Sequence, residues 1–182
     1  MNKGFTVVEI VVVLGIMAVI TGIVLFNVGS EKQNAALFRS AQNLSLNLRK
    51  AENNALSSKV FKDSKVPCGW GVHFNGVDST SYAIFADTTI AQNCFGRNYK
   101  MDSGEELETV NLEAGVKIKS INNNILDINI SDVVFTPPAP LVRFTSFYGG
   151  QDGSNTINII LVNKNSSTRT ITINKTGFIS SP

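Results

Sequence analysis

The sequence predicts an α+β protein, a long apolar amino-terminal helix followed by one β-rich body. Three observations carry that prediction. Of the 182 residues 43% are apolar, yet 19 of these fall in the first 30 positions and only 59 in the other 152. Helical spacing of apolar residues then continues in a more polar stretch. From Pro67 onward, short alternating runs separated by Gly, Asn, Asp and Ser take over.

The head comes first. No formal charge occurs between Glu9 and Glu31, and 18 of the 24 residues from 5 to 28 are apolar. As a helix those 24 residues measure roughly 36 Å, enough for a hydrocarbon layer of ~30 Å with some tilt. A cleaved secretory signal has a shorter apolar stretch and small residues at its cut site. Ser30-Glu31-Lys32 offers no such site. The segment is therefore expected to stay on the protein. Glu9 is the anomaly, an acid set among Val7, Val8, Ile10 and Val11. A lone carboxylate in a bilayer is costly, so it is either tolerated at the interface or neutralised by a positive partner.

Beyond the head, Leu37, Ala41, Leu44, Leu48, Ala51 and Ala55 form one apolar stripe, with spacings alternating between four and three. Neither Pro nor Gly interrupts residues 31–65, so the helix is expected to run to position 65. Its stripe faces its own sheet or a neighbouring subunit. Arg39, Arg49, Lys50, Lys59, Lys62 and Lys65 make the same stretch basic, which reads as a solvated face or a meeting place for acids. Pro67 ends the helix. Strands are expected at 71–74 and 82–85 around a polar hairpin turn, then near 107–112, 116–121, 125–130, 133–135 and 141–144. The clearest pair is 156–162 and 168–173, joined by Asn163-Lys164-Asn165-Ser166-Ser167.

Composition limits the chemistry. Sixteen Lys and Arg against 14 acids give no general mandate for nucleic acid. One His and two Cys argue against a Cys/His metal centre. His73 sits within an expected strand with no matching nucleophile or ligand cluster. The acids Asp102, Glu105, Glu106, Glu108 and Glu113 lack a calcium-loop pattern and read as a solvated turn. Gly149-Gly150-Gln151-Asp152-Gly153 lacks the Gly-Lys-Ser/Thr ending of a phosphate loop. No catalytic residue, cofactor or metal ligand is assigned.

The residues ahead of the apolar run carry more information. Lys3-Gly4-Phe5-Thr6-Val7-Val8-Glu9 resembles the processing site of type IV prepilins and type II secretion pseudopilins. The resemblance implies that a prepilin peptidase cuts after Gly4, that Phe5 carries an N-methyl group, and that Glu9 is the family's fifth-position glutamate. Cleavage would leave an α-ammonium on Phe5, one helical turn from Glu9. In a staggered bundle one chain's Glu9 could meet a neighbour's ammonium, each charge compensating the other. A looser similarity extends through the body. Gly71-Val72-His73-Phe74, Ser81-Tyr82-Ala83-Ile84-Phe85-Ala86-Asp87, Phe135-Thr136-Pro137-Pro138 and residues 169–177 follow the order of GspH/FimT-type minor pseudopilins. That resemblance implies a pilin-like fold, with a sandwich-like sheet pair packed on the end of the long helix.

Taken together, the expected organisation is a leader at 1–4, a membrane-spanning and assembly half of the helix at 5–30, its amphipathic continuation at 31–65, and a β-rich domain at 66–182. Lys3 is the only cation ahead of the apolar run, while Lys32, Arg39, Arg49 and Lys50 follow it. Those counts would place the body inside, but long domains translocate regardless of them. The family resemblance places it outside the cytoplasm, on a single-pass inner-membrane anchor and later in a periplasmic or surface filament. For Cys68 and Cys94, export and the even count favour a disulfide. The alternative is two reduced thiols in a cytoplasmic-facing domain. The expected function is a structural minor subunit of a secretion pseudopilus or pilus, with the peptidase, sister subunits and membrane lipid as partners. A DNA-uptake role is disfavoured because Lys175-Thr176-Gly177-Phe178-Ile179-Ser180-Ser181-Pro182 has no clustered cations. A membrane-anchored enzyme would need a catalytic set, and none is visible.

Overall fold

A computed structural model describes residues 4–62, 66–88, 94, 96–123, 130–138 and 141–181, with the side chains at 25–28 and 123 left aside. One helix, α1 (Val7–Leu56), leads into an antiparallel β-rich domain. The helix begins where Thr6 takes an extended conformation and its Oγ1 accepts the Glu9 N–H at 3.3 Å, an N-cap that answers one of the orphan donors of the first turn. The expected stripe is what the helix buries. Leu37, Ala41, Leu44, Leu48, Ala51 and Ala55 are all at most 2% exposed.

The carboxy-terminal end of α1 falls short of position 65. Ser57 caps the helix, Ser58 turns into the left-handed region at φ 48°, and the Lys59 N–H closes back on the Asn54 carbonyl at 2.9 Å. The cause is tertiary. Trp70 donates its indole N–H to the Lys59 carbonyl at 3.3 Å, and Phe61 meets the Trp70 ring edge-on at 5.8 Å. That aromatic anchor pulls the chain off the helix axis before Pro67 has any say. Positions 63–65 lie outside the described residues.

Strands β1 (Gly69–Phe74) and β2 (Ser81–Asp87) form the expected hairpin, with Phe74 opposite Tyr82. They are followed by β3 (Glu106–Asn111), β4 (Val116–Asn123), β5 (Ile130–Thr136), β6 (Leu141–Ser146), β7 (Gln151–Asp152), β8 (Thr156–Asn163), β9 (Thr168–Asn174) and β10 (Ile179–Ser180). The expected strand at 125–130 lies outside the described residues except for Ile130, which opens β5. The two-residue β7 and β10 are too short for any periodicity to announce.

Described pairings give a six-stranded sheet in the order β3-β2-β1-β5-β6-β7 and a four-stranded sheet in the order β10-β9-β8-β4. Both turn an apolar face to α1. Trp70, Val72, Phe135 and Phe144 from the first sheet meet Ile118, Ile159, Leu161 and Ile171 from the second in one core with the helix stripe. In β8 the burial alternates residue by residue, a strand with one face in the core and one outward. Tyr82 points from β2 to α1, where its hydroxyl receives the Asn47 amide at 2.7 Å and burial pushes its phenol up to about 12.

Charge pairing reinforces the helix–sheet contact. Arg39 binds Glu113 through two parallel bonds of 2.6 and 2.7 Å, and Lys50 pairs with Glu108. Arg49 donates to the Ile179 carbonyl at 3.0 Å. Of the two readings of the basic stretch, the meeting with acids holds for Arg39 and Lys50, whose partners Glu113 and Glu108 come from the acidic run expected to be solvated. The Glu113 carboxyl is held below its ordinary value by that hydrogen bond from Arg39.

Candidate functional site

Among the described residues, nothing packs against the amino-terminal part of α1. Val7, Val8, Val11, Leu14, Met17, Val19 and Ile23 are all more than half exposed, on every side of the helix. A helix apolar all round is one whose solvent is something other than water. Length and composition suffice for it to cross a membrane. Within that apolar surface Thr21 satisfies its own hydroxyl by bonding the Met17 carbonyl at 2.8 Å.

Gly4 and Phe5 lie just ahead of the helix. Phe5 is 81% exposed, and a Cβ built on Gly4 would meet nothing within 4 Å. This stretch is therefore open to another protein. Glu9 sits in the first turn, where the helix dipole favours an anion. Phe5, Glu9, Ile10, Val13 and Leu14 line a shallow apolar groove of about 290 Å³. Among the described residues no cation pairs with the Glu9 carboxylate. Lys3 lies outside the described residues.

The second constellation is in the body. Cys68 and Cys94 form a disulfide, with Cα atoms 5.5 Å apart. Residues 96–101 cross the outer side of the six-stranded sheet and seat Tyr99 and Met101 against Phe85 and Val134. Arg97 and Arg143 lie over the Tyr99 ring at 5.0 and 5.6 Å. Thr145 donates to the Tyr99 carbonyl at 2.7 Å. This strap encloses carboxylates that the sequence had placed in solvent or passed over.

Glu105, expected to be solvated, is 4% exposed. It accepts from the Thr88 N–H at 2.6 Å, the Thr88 hydroxyl at 2.9 Å and the Asp102 N–H at 2.8 Å. Asp87, to which the sequence reading gave no role, is 1% exposed, and its Oδ2 has no hydrogen-bond partner among the described residues. Burial first, and the Glu105 charge second, push the Asp87 carboxyl up to about 6, against a hydrogen bond from the Tyr99 backbone. Asp132 is fully buried and accepts from the Met101 N–H at 3.1 Å. His73 Nδ1 lies 2.7 Å from Asp132 Oδ1. The Ser131 hydroxyl lies 2.5 Å from Asp132 Oδ2 and 3.1 Å from the Thr145 carbonyl oxygen, the two acceptors recorded for it. The group ties strap to sheet and does not have the nucleophile–base geometry of a hydrolase.

No protein-family model, curated protein or solved structure matches this chain. The site must speak through its own geometry. Gly4, Phe5 and Glu9 come together at one exposed helix start, whereas the Cys68–Cys94 pair lies far along the chain in the body. Among the described residues, no group of three or more His, Cys, Asp or Glu side chains is placed to hold a metal. No sequence pattern pointed to Asp87 or Asp132, because their burial depends on a strap whose path only the fold fixes.

Proposed function

We propose that this chain is a structural subunit of a pilin-like filament, cut by a prepilin peptidase after Gly4 and methylated on Phe5. The observation that carries the reading is the uncovered apolar half of α1, with an open Gly4-Phe5 start and a Glu9 that no cation pairs among the described residues. Before assembly the helix dissolves in lipid and the body stands outside the cytoplasm. After assembly neighbouring helices replace the lipid, and Glu9 meets the α-ammonium of an adjacent Phe5. The disulfide suits an oxidising compartment. The helix cations Arg39 and Lys50 are engaged by Glu113 and Glu108, which leaves them poorly placed to hold nucleic-acid phosphates.

The test uses cells with an active prepilin peptidase. Mass spectrometry should find an amino terminus at N-methyl Phe5, and an intact Met1 would overturn the reading. Glu9→Ala should enter the membrane normally yet fail to cross-link into the filament. Normal co-assembly of that variant would refute the charge pairing.

A further inference from the structure

A cavity of about 530 Å³ opens where α1 enters the body, lined by Asn34, Leu37, Ser167, Thr168, Arg169 and Thr170. It is lined by one arginine, one leucine and four neutral polar residues, and among the described residues no carboxylate lines it. Arg169 stacks over Phe38 at 5.5 Å and has no carboxylate partner among the described residues. The Asn34 carbonyl oxygen receives the Asn163 amide at 3.0 Å, which holds the β8–β9 turn against the helix. Glu31 stands one helical turn before Asn34 on α1.

Position along the helix gives the cavity its meaning. The uncharged stretch ends at Ser30. Asn34 lies three residues beyond Glu31, about 4.5 Å farther along the axis. The polar layer on each side of a bilayer is roughly 5–8 Å deep. A span ending near Ser30 therefore sets Asn34 and Arg169 at headgroup level. We infer that this cavity binds the phosphate of an anionic phospholipid headgroup and so holds the unassembled subunit at a fixed depth. The inference rests on the membrane-spanning reading of residues 5–30. Arg169 supplies the fixed charge, and the Ser167 hydroxyl and the Asn34 side-chain amide supply donors.

The experiment reconstitutes the full chain in vesicles of phosphatidylcholine alone or with phosphatidylglycerol, and counts retained lipids by native mass spectrometry. Flotation with the vesicles reports the span separately. Retention should favour phosphatidylglycerol, and Arg169→Gln should lower that preference about fivefold, the worth of one cation near a lipid surface. Ser167→Phe fills the cavity without removing a charge and should lower it too, with flotation and disulfide unchanged in both variants. Floating wild-type protein that shows no preference, or a preference untouched by both substitutions, would overturn the proposal. So would millimolar inorganic phosphate displacing the lipid, which would make this a pocket for free anions. Wild-type protein that fails to float would overturn the span, and the headgroup site with it.

Discussion

Asp87→Asn should stabilise the body at neutral pH and remove a distinctive pH dependence. In the folded state burial and the neighbouring Glu105 raise the Asp87 carboxyl from 3.8 to about 6. In the unfolded chain it titrates near its ordinary value. Between those limits the folded state binds more protons, so stability falls as pH rises through roughly 4 to 6. Above 6 the full cost persists, and below 4 it is absent. A displacement of that size corresponds to at most roughly 3 kcal/mol. The amide introduced by the substitution has no titrating proton, and it could donate toward the Glu105 carboxylate. The assay is urea unfolding of a fragment spanning residues 31–182, which keeps the whole core cluster from Ala36 onward. The quantity to plot is the stability of the variant minus that of wild type. It should climb by up to ~3 kcal/mol between pH 4 and 6.5 and then level. Glu113, held low by Arg39, contributes the opposite slope but appears in both proteins and cancels. A difference that stays flat across the window would refute the reasoning.

Three further outcomes are expected of the same fragment. Replacing Cys68 and Cys94 by Ala should cost about 3.5 kcal/mol on the loop-entropy relation for a separation of 26 residues, and a loss under ~1 kcal/mol in urea would contradict it. Gly71→Ala should abolish cooperative unfolding, because an added Cβ would stand 2.6 Å from the Val133 carbonyl oxygen and 2.8 Å from the Phe85 ring. A normal melting transition would show that β1 and β5 can part more easily than their pairing implies. Leu48→Ala, at a fully buried stripe position, should cost ~2–5 kcal/mol, and a change below ~1 would place the stripe outside the core.

The helix stripe was legible because 3.6-residue periodicity is a property of the chain itself. Each of its six members, from Leu37 to Ala55, proved buried. Hairpins β1–β2 and β8–β9 were legible for the same reason, since alternation and polar turns act within a few residues. The helix end was not. Helix propensity continues past Leu56, and it yields to Trp70 and Phe61, aromatic partners that lie beyond the helix in the chain. The acidic run misled in a similar way. Glu105 and Glu108 differ by three positions, yet one lies beneath the strap and the other pairs with Lys50 at the surface.

The sequence by itself determined the head: its length, its lack of charge, the Gly4-Phe5 start and Glu9 in the first turn. Those features act through local geometry and through transfer from water to an apolar medium, which depend on composition and spacing alone. Tertiary structure alone decided what the body does with its charges. It sent Arg39 and Lys50 to Glu113 and Glu108, shut Asp87 beside Glu105, and left Arg169 facing an open cavity. The energy of a charge depends on which groups and how much water surround it, and the fold brings those neighbours from distant parts of the chain.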